Sequence, residues 1–393
     1  MGQAPRLNRQ GSIMDDLNFF RGRRVFITGH TGFKGSWLTL WLLRRGAIVS
    51  GYSLEAPTSP SLFETLGLVA GIQHFNGDVR DAQYLASVLK SERPEVVFHL
   101  AAQPLVPRGY QYPKETFDVN VGGTVNLLEA VREIESVRTV ICVTSDKCYH
   151  PQGWQWGHRE NDPLGGHDPY GASKAAAEIV AAAYRDSFFL VENDGVVCKV
   201  GLATVRAGNV IGGGDWAEDR LVPDCIRALV AEEPIAVRHP EAIRPWQHVL
   251  EPLAGYLTLG KRLWDEPAKN SGPWNFGPSP ESACSVARVL HLMIRLWGRG
   301  QWKKAHNNSA AEPRETKCLR LNSDKAMSLL SWHHQWEIHA ALRRTVEWYQ
   351  AFYGNRSARE LRALCERQID EYEVHGDRSV SRRQPLESVE TPV

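Results

Sequence analysis

Between positions 24 and 206 short apolar runs alternate with stretches of helical spacing, and few folds accommodate that alternation. The runs fall at 24–28, 48–52, 74–78, 96–100, 139–144 and 198–206. Val96-Val97-Phe98-His99-Leu100 and Thr139-Val140-Ile141-Cys142-Val143-Thr144 show no polar alternate, the pattern of strands covered on both faces. Between the runs, apolar residues return at helical spacing at Trp37, Leu38, Leu40, Trp41 and Leu42, at 84–90 and along 116–133. The chain reads as α/β, a doubly wound parallel sheet with helices on both faces. Beyond Arg206 the rhythm gives way to glycines and prolines, with helices expected at 223–231, 251–263, 286–297 and 340–352. These build a smaller, mostly helical C-terminal lobe at the carboxyl edge of the sheet.

At 393 residues the chain can bury a core large enough for two lobes. Lys and Arg number 46 against 45 Asp and Glu, so no charged surface for nucleic acid or membrane is expected. Seven scattered cysteines without a Cys-x-x-Cys pair argue against a disulfide framework and against a metal site. No apolar run has the length to span a bilayer, and residues 1–12 lack the apolar stretch of a signal peptide. A reduced, soluble, cytoplasmic protein is the expectation.

Gly29-His30-Thr31-Gly32-Phe33-Lys34-Gly35 joins the first run to the first helix. Glycine there lets the backbone turn tightly and approach a pyrophosphate seated at the positive helix end. The GxxGxxG spacing alone also suits a plain strand-to-helix turn. Its place in the first β-α unit of an alternating chain favours a bound dinucleotide, which makes the sheet Rossmann-type. Asp78 is a candidate for the adenine edge with Val79 on the ring; equally, it suits a turn that caps the next helix. No Arg stands at the end of the second run for a 2′-phosphate, where Ser53 and Glu55 are the nearest polar groups, so NAD is favoured over NADP. The expected organisation is a flexible extension over 1–20, an NAD-binding domain over 21–206 to which 240–265 returns, a substrate-binding lobe over 207–355, and a polar tail over 356–393 that composition marks as partly disordered.

Ser145-Asp146-Lys147 closes the fifth run, and Tyr170-Gly171-Ala172-Ser173-Lys174 follows. A Tyr and a Lys four apart share one helix face. An ammonium beside the phenol is expected to lower its pKa towards neutrality, which makes Tyr170 a base for an alcohol proton. An alcohol that yields a proton to a base can yield a hydride to a nicotinamide. Ser145 at the strand end can hydrogen-bond the same oxygen, and Asp168-Pro169 suits a helix start. Tyr110 and Lys114 repeat the spacing, but Pro113 between them would break the helix. The residues point to redox chemistry on a hydroxyl group.

These residues resemble the extended short-chain dehydrogenase/reductase superfamily. Longer segments resemble the CDP-glucose 4,6-dehydratase family within it: Gly29-His30-Thr31-Gly32-Phe33-Lys34-Gly35-Ser36-Trp37, Leu100-Ala101-Ala102-Gln103-Pro104-Leu105-Val106, Thr144-Ser145-Asp146-Lys147-Cys148-Tyr149, Arg206-Ala207-Gly208-Asn209-Val210-Ile211-Gly212-Gly213-Gly214-Asp215-Trp216 and Arg244-Pro245-Trp246-Gln247-His248-Val249. The resemblance implies NAD as cofactor, CDP-glucose as substrate, and a redox-neutral dehydration that yields a 4-keto-6-deoxy sugar for surface polysaccharides. It places Gly29, Thr31, Gly32, Phe33, Gly35, Leu100, Ala101 and Ala102 at the cofactor with Tyr170 and Lys174. It places Gln103, Asn209, Trp216, Arg220 and Arg244 at the substrate, with the two arginines as clamps on its pyrophosphate. Trp246 is read as a second wall of that pocket.

Within this resemblance Ser145, Tyr170 and Lys174 serve C4 oxidation, and Asp146 protonates the leaving C6 hydroxyl, for which its pKa must be raised by burial. Lys147 stands where related dTDP-glucose dehydratases carry a Glu base. It is either a base, once deprotonated, or a cation that stabilises the enolate. Relatives pair through a helix bundle, so a homodimer or homotetramer is implied. The chain departs from the family pattern at Pro107, Arg108 and Gly109, and at His150-Pro151. Two further readings stand beside this one: a sugar-nucleotide 4-epimerase or reductase on the same scaffold, and a non-catalytic NAD-binding regulator. Asp146 and Lys147 weigh against the first, and the complete Ser145, Tyr170 and Lys174 set against the second.

Overall fold

The computed structural model describes residues 13–381, except 155, 190–191, 194–195, 198–199, 280–282 and 306–318. Seven parallel strands form the central sheet: β1 Arg24–Thr28, β2 Ile48–Ser53, β3 Gln73–Asn76, β4 Val96–His99, β5 Thr139–Val143, β6 Gly201–Ala207 and β7 Gly272–Phe276. Their order is β3-β2-β1-β4-β5-β6-β7, with the chain reversing direction across the sheet between β1 and β4. Side chains alternate between two cores, as the strand pleat requires. Val25, Ile27, Phe98 and Val205 enter the core shared with α2 Phe33–Arg44, whereas Phe26, Val97, Val140 and Leu202 enter the opposite one. That second core is covered by α3 Ala82–Glu92, α4 Gly123–Arg132 and part of α5 Pro169–Tyr184.

β7 is absent from the sequence reading. Its sequence, Gly-Pro-Trp-Asn-Phe, carries two residues that argue against a strand. Proline is tolerated because β7 lies at the sheet edge with β6 as its one neighbour. The start of the sixth run at 198–199 lies outside the described residues. The helix expected over 116–133 is divided into Pro113–Phe117, a π-helical turn Asp118–Gly122, and α4. A Cβ on Gly123 would lie 2.6 Å from Val79 Cγ2, so the close approach of α4 to the core needs glycine there.

The second lobe holds α6 Leu221–Val230, α8 Val286–Trp297 and α9 Ile338–Tyr353, with short two-stranded pairings between them. Between these, α7 Leu250–Asp265 packs on the sheet and puts Leu253, Leu257 and Leu259 into the α2 core. Two terminal segments differ from the expectation of flexible chain. α1 Ile13–Asn18 is followed by Phe20, and Leu17 and Phe20 are fully buried. α10 Ala358–Ser381 returns to α2, where Trp41 Nε1 donates to Glu373 at 2.7 Å and the Tyr372 ring meets Trp41 edge-on. The apolar positions Leu361, Cys365, Ile369 and Tyr372 give α10 its buried face, a spacing hidden in a polar composition. Residues 1–12 and 382–393 lie outside the described residues. No helix among the described residues is long and apolar enough to cross a membrane.

Candidate active site

The glycine turn fits a dinucleotide. Gly29 takes φ +74°, and a Cβ on it would lie 2.6 Å from Ala101 N, so the turn after β1 touches the turn after β4. A Cβ on Gly35 would sit 2.2 Å from Gly29 O, which fixes glycine where the helix folds back on the turn. Gly32 caps α2 without a side-chain partner, and no acidic residue stands in the first turn. The helix start therefore keeps its N–H donors for an anion. Thr31 fastens this turn to the end of β2 through Ser53 Oγ (2.8 Å) and Leu54 O (3.1 Å). Beneath it, Thr28, His99 and Thr124 form a hydrogen-bonded chain, and Ala101 N donates to Thr28 Oγ1, which sets Leu100, Ala101 and Ala102. The Phe33 ring packs on the backbone of Gly212.

Two expected cofactor contacts are placed differently. Val79 is a core residue against Gly123 and the Phe26 cluster, not a residue open to an adenine ring. Asp78 spends both carboxylate oxygens on Arg80, through its N–H at 2.9 Å and its guanidinium at 2.9 and 2.5 Å. Those bonds hold its pKa below the usual carboxylate range.

At the carboxyl ends of β5 and β6 the structure brings Ser145, Asp146, Tyr170 and Lys174 together, all buried. Ser145 caps a short turn over Asp146–Cys148: its Oγ accepts from Lys147 N at 3.2 Å and donates to Asp146 Oδ1 at 3.1 Å. Asp168 caps α5 by accepting from Gly171 N at 2.9 Å, with Pro169 in the first turn, and so orients Tyr170. Tyr170 lies near enough to Ser145 for the hydroxyl to act on its phenol. By contrast, Tyr110 and Lys114 fall on separate short helices either side of Tyr112, and both are exposed.

Burial pushes the Asp146 carboxyl up, opposed by Lys147, Ser145, Lys34 and Arg244. A Cβ on Gly208 would lie 3.0 Å from Asp146 Oδ2, so glycine leaves room for the acid. The Tyr170 phenol is pushed up to about 12 by burial, against Ser145 and Arg220. This reverses the expectation that Lys174 lowers it. Lys174 is not among the groups acting on the phenol: its ammonium donates to Val143 O at 3.2 Å, and burial lowers its pKa to about 8.

The expected substrate residues divide. Arg220 pairs with Asp215 at 2.9 Å and acts on Tyr170, so the second lobe reaches the site. Arg244 is buried and acts on Asp146. Asn209 accepts from Gln247 N through its carbonyl at 3.0 Å, beside the paired strands Val210–Ile211 and Gln247–His248. Trp216 instead packs into α9, with its ring 4.9 Å from Phe352 and 5.4 Å from Trp348, and Trp246 belongs to the same apolar core. Gln103 is consumed by its own loop: its amide bonds Leu105 N, Leu105 O and Thr116 Oγ1, and its N–H meets Asn120. The departure at Pro107-Arg108-Gly109 lies on the short helix Val106–Gln111, where a Cβ on Gly109 would approach Tyr170 N to 3.3 Å. Two participants escaped the sequence reading. Asn120, on the π-helical turn, donates to Ser173 Oγ and Gln103 O. Lys34 stands in the same field of charges as Asp146, Arg220 and Lys174.

The sequence model of the GDP-mannose 4,6 dehydratase family matches residues 26–256. The CDP-glucose 4,6-dehydratase of Salmonella typhimurium is 48% identical over 360 residues, covering 91% of this chain and 98% of that protein. Among solved structures, an epimerase from Methanothermobacter thermautotrophicus superposes with a TM-score of 0.73 at 21% identity, covering 88% of this chain and 97% of the other. The dTDP-glucose 4,6-dehydratase DesIV from Streptomyces venezuelae, solved with NAD bound, gives 0.72 at 22% identity, covering 84% and 98%. The chain belongs to the GDP-mannose 4,6 dehydratase family, within the extended short-chain dehydrogenases/reductases.

Proposed function

We propose that this protein is an NAD-dependent hydro-lyase that converts CDP-glucose to CDP-4-keto-6-deoxyglucose and water. The observation that carries the reading is the buried Asp146, pushed towards its neutral acid form beside Ser145 and Tyr170. An epimerase needs no such acid. The 48% identity to a CDP-glucose 4,6-dehydratase across nearly the whole chain supports the choice of nucleotide.

NAD⁺, which the Gly29–Gly35 turn would hold, would supply an acceptor for the C4 hydride and return that hydride at C6, so no net oxidant would be consumed. Tyr170, in its phenolate form, accepts the C4 hydroxyl proton while Ser145 holds the same oxygen. The ketone acidifies C5–H. Loss of that proton, with Lys147 as base or as the cation facing the enolate, drives out the C6 oxygen. Asp146 protonates that oxygen, which leaves as water. Hydride at C6 and a proton at C5 complete the product. Arg220 and Arg244 hold the diphosphate, where a planar fork suits two oxygens.

The substrate and cofactor are cytoplasmic solutes, and the reading places the enzyme there, as a step towards deoxy sugars of surface polysaccharide. Exposed Tyr110, Tyr112 and Ile179, on and beside α5, support pairing with a second copy through helices. The test is incubation with CDP-glucose and NAD⁺, followed by alkali to develop the 4-keto chromophore. Turnover of UDP-glucose to UDP-galactose, with CDP-glucose untouched, would overturn the reading in favour of an epimerase.

A further inference from the structure

Lys34 is the second residue of α2, two positions after the capping Gly32. A cation is disfavoured there, because the helix dipole places partial positive charge at the same end. Its partial burial disfavours the charge further. Other lysines drawn out of solvent find acceptors: Lys174 uses Val143 O, and Lys325 uses Pro273 O at 2.8 Å. Among the described residues Lys34 has neither a hydrogen bond nor an ion pair.

Its direction follows from the helix. Trp37 lies three residues on, on the same face, and its Nε1 donates to Gly213 O at 3.0 Å. That face of α2 therefore looks at the glycine-rich loop that runs on to Asp215 and Arg220. The charged groups acting on Lys34 are Arg220, Asp146, Lys174 and Asp215. None belongs to the other end of the dinucleotide turn, where Thr31, Ser53, Asp78 and Arg80 lie. Lys34 and Arg220 thus share one field of charge, with Asp215 of the second lobe paired to Arg220. Three cations, Lys34, Arg220 and Lys174, share that field with two acids, of which burial pushes Asp146 towards its neutral form, and this excess of positive charge suits a further anion.

We propose that Lys34 is a diphosphate-binding residue that, with Arg220, grips the phosphates of the sugar nucleotide and ties the dinucleotide turn to the second lobe. The proposal rests on the sugar-nucleotide reading above. It makes Lys34 a specificity device for diphosphates rather than an acid or base. Burial and Arg220 lower the Lys34 pKa to about 8, so near that pH an arriving diphosphate should draw a proton onto it.

The test is calorimetric titration of CDP, cytidine and NAD⁺ into the wild type, Lys34→Met and Lys34→Arg. Lys34→Met should weaken CDP about 10- to 100-fold while leaving cytidine and NAD⁺ within about threefold, and Lys34→Arg should restore most of the loss. Proton uptake on CDP binding near pH 8, read from buffers of different ionisation enthalpy, should vanish in Lys34→Met. In turnover the loss should fall on KM with kcat nearly kept. Unchanged CDP affinity, an equal loss for cytidine, or a loss confined to NAD⁺ would overturn the assignment. If the wild type binds UDP or dTDP and ignores CDP, the nucleotide reading fails and the same comparison on that diphosphate decides Lys34. A wild type that binds no nucleoside diphosphate overturns both.

Discussion

Two clusters of buried charge lie one helical turn apart on α5, and they are built in opposite ways. Glu178 belongs to the first. Its carboxylate accepts from Thr144, from Thr204 Oγ1 at 2.6 Å, and from Arg206 Nε and Nη2 at 2.9 and 2.8 Å. Arg206 spends Nη1 on Tyr149 OH and Glu160 O, and lies over the Tyr149 ring. Here partners overcome burial: the Glu178 pKa falls and that of Arg206 rises, so both stay charged. The second cluster holds Tyr170, Lys174, Asp146 and Lys34. Burial wins there, and all four are pushed towards their neutral forms. The closed network holds the sheet ends together, and the open one is the set that the proposed reaction would use.

Substitutions should separate the two. Tyr170→Phe is expected to lower kcat by about a thousandfold with an unchanged melting temperature; near-normal turnover would remove Tyr170 from the base role. Glu178→Ala should do the reverse. It leaves Arg206 buried without its counter-ion and destabilises by about 3–5 kcal/mol, read as a drop in urea midpoint, while the folded fraction keeps its kcat/KM. A large kinetic loss at unchanged stability would merge the clusters.

Glu251 tests the boundary between the two designs. It accepts from Trp336 N (2.7 Å), Gln335 N (3.1 Å) and Tyr372 OH (2.8 Å), yet burial pushes its pKa up to about 7 from 4.5. Between those values the folded carboxyl keeps a proton that the unfolded chain has released. The stability it contributes is present in full below about pH 4.5 and is lost as pH rises through about 7, on the order of 3 kcal/mol. Glu251→Gln should flatten the fall in urea-unfolding free energy over that window; an unaltered slope would show that the partners already hold Glu251 ionised. Smallest in stability is Asp146→Asn, which removes a charge that burial opposes and should leave the melting temperature unchanged or higher. Turnover should fall about a hundredfold, with reduced cofactor building up in a single turnover because C4 oxidation proceeds. Turnover at the normal rate would reject Asp146 as the acid.

What the sequence disclosed follows the strength of local signals. Strands buried on both faces appear as unbroken apolar runs, and Ser145, Tyr170 and Lys174 were legible because a strand end and a helix cap frame them. β7 was hidden by Pro273 and Gly272, which only an edge position tolerates. α10 was hidden because its apolar stripe is narrow in a polar segment. The phenol pKa was misjudged because the i,i+4 spacing gives proximity but not the Val143 carbonyl that engages Lys174. Gln103 and Trp216 looked like ligand contacts because motif membership does not distinguish a side chain that meets substrate from one that holds the loop. Lys34 lay inside the most recognisable motif, where the glycines drew the reading.

The fate of deuterium from CDP-[4-²H]glucose in a single turnover, followed by NMR of the product, reads the hydride path itself. Deuterium should appear at C6 of a 4-keto-6-deoxy sugar, with one water lost per sugar. Deuterium still on C4, whether of unchanged or inverted sugar, would contradict it.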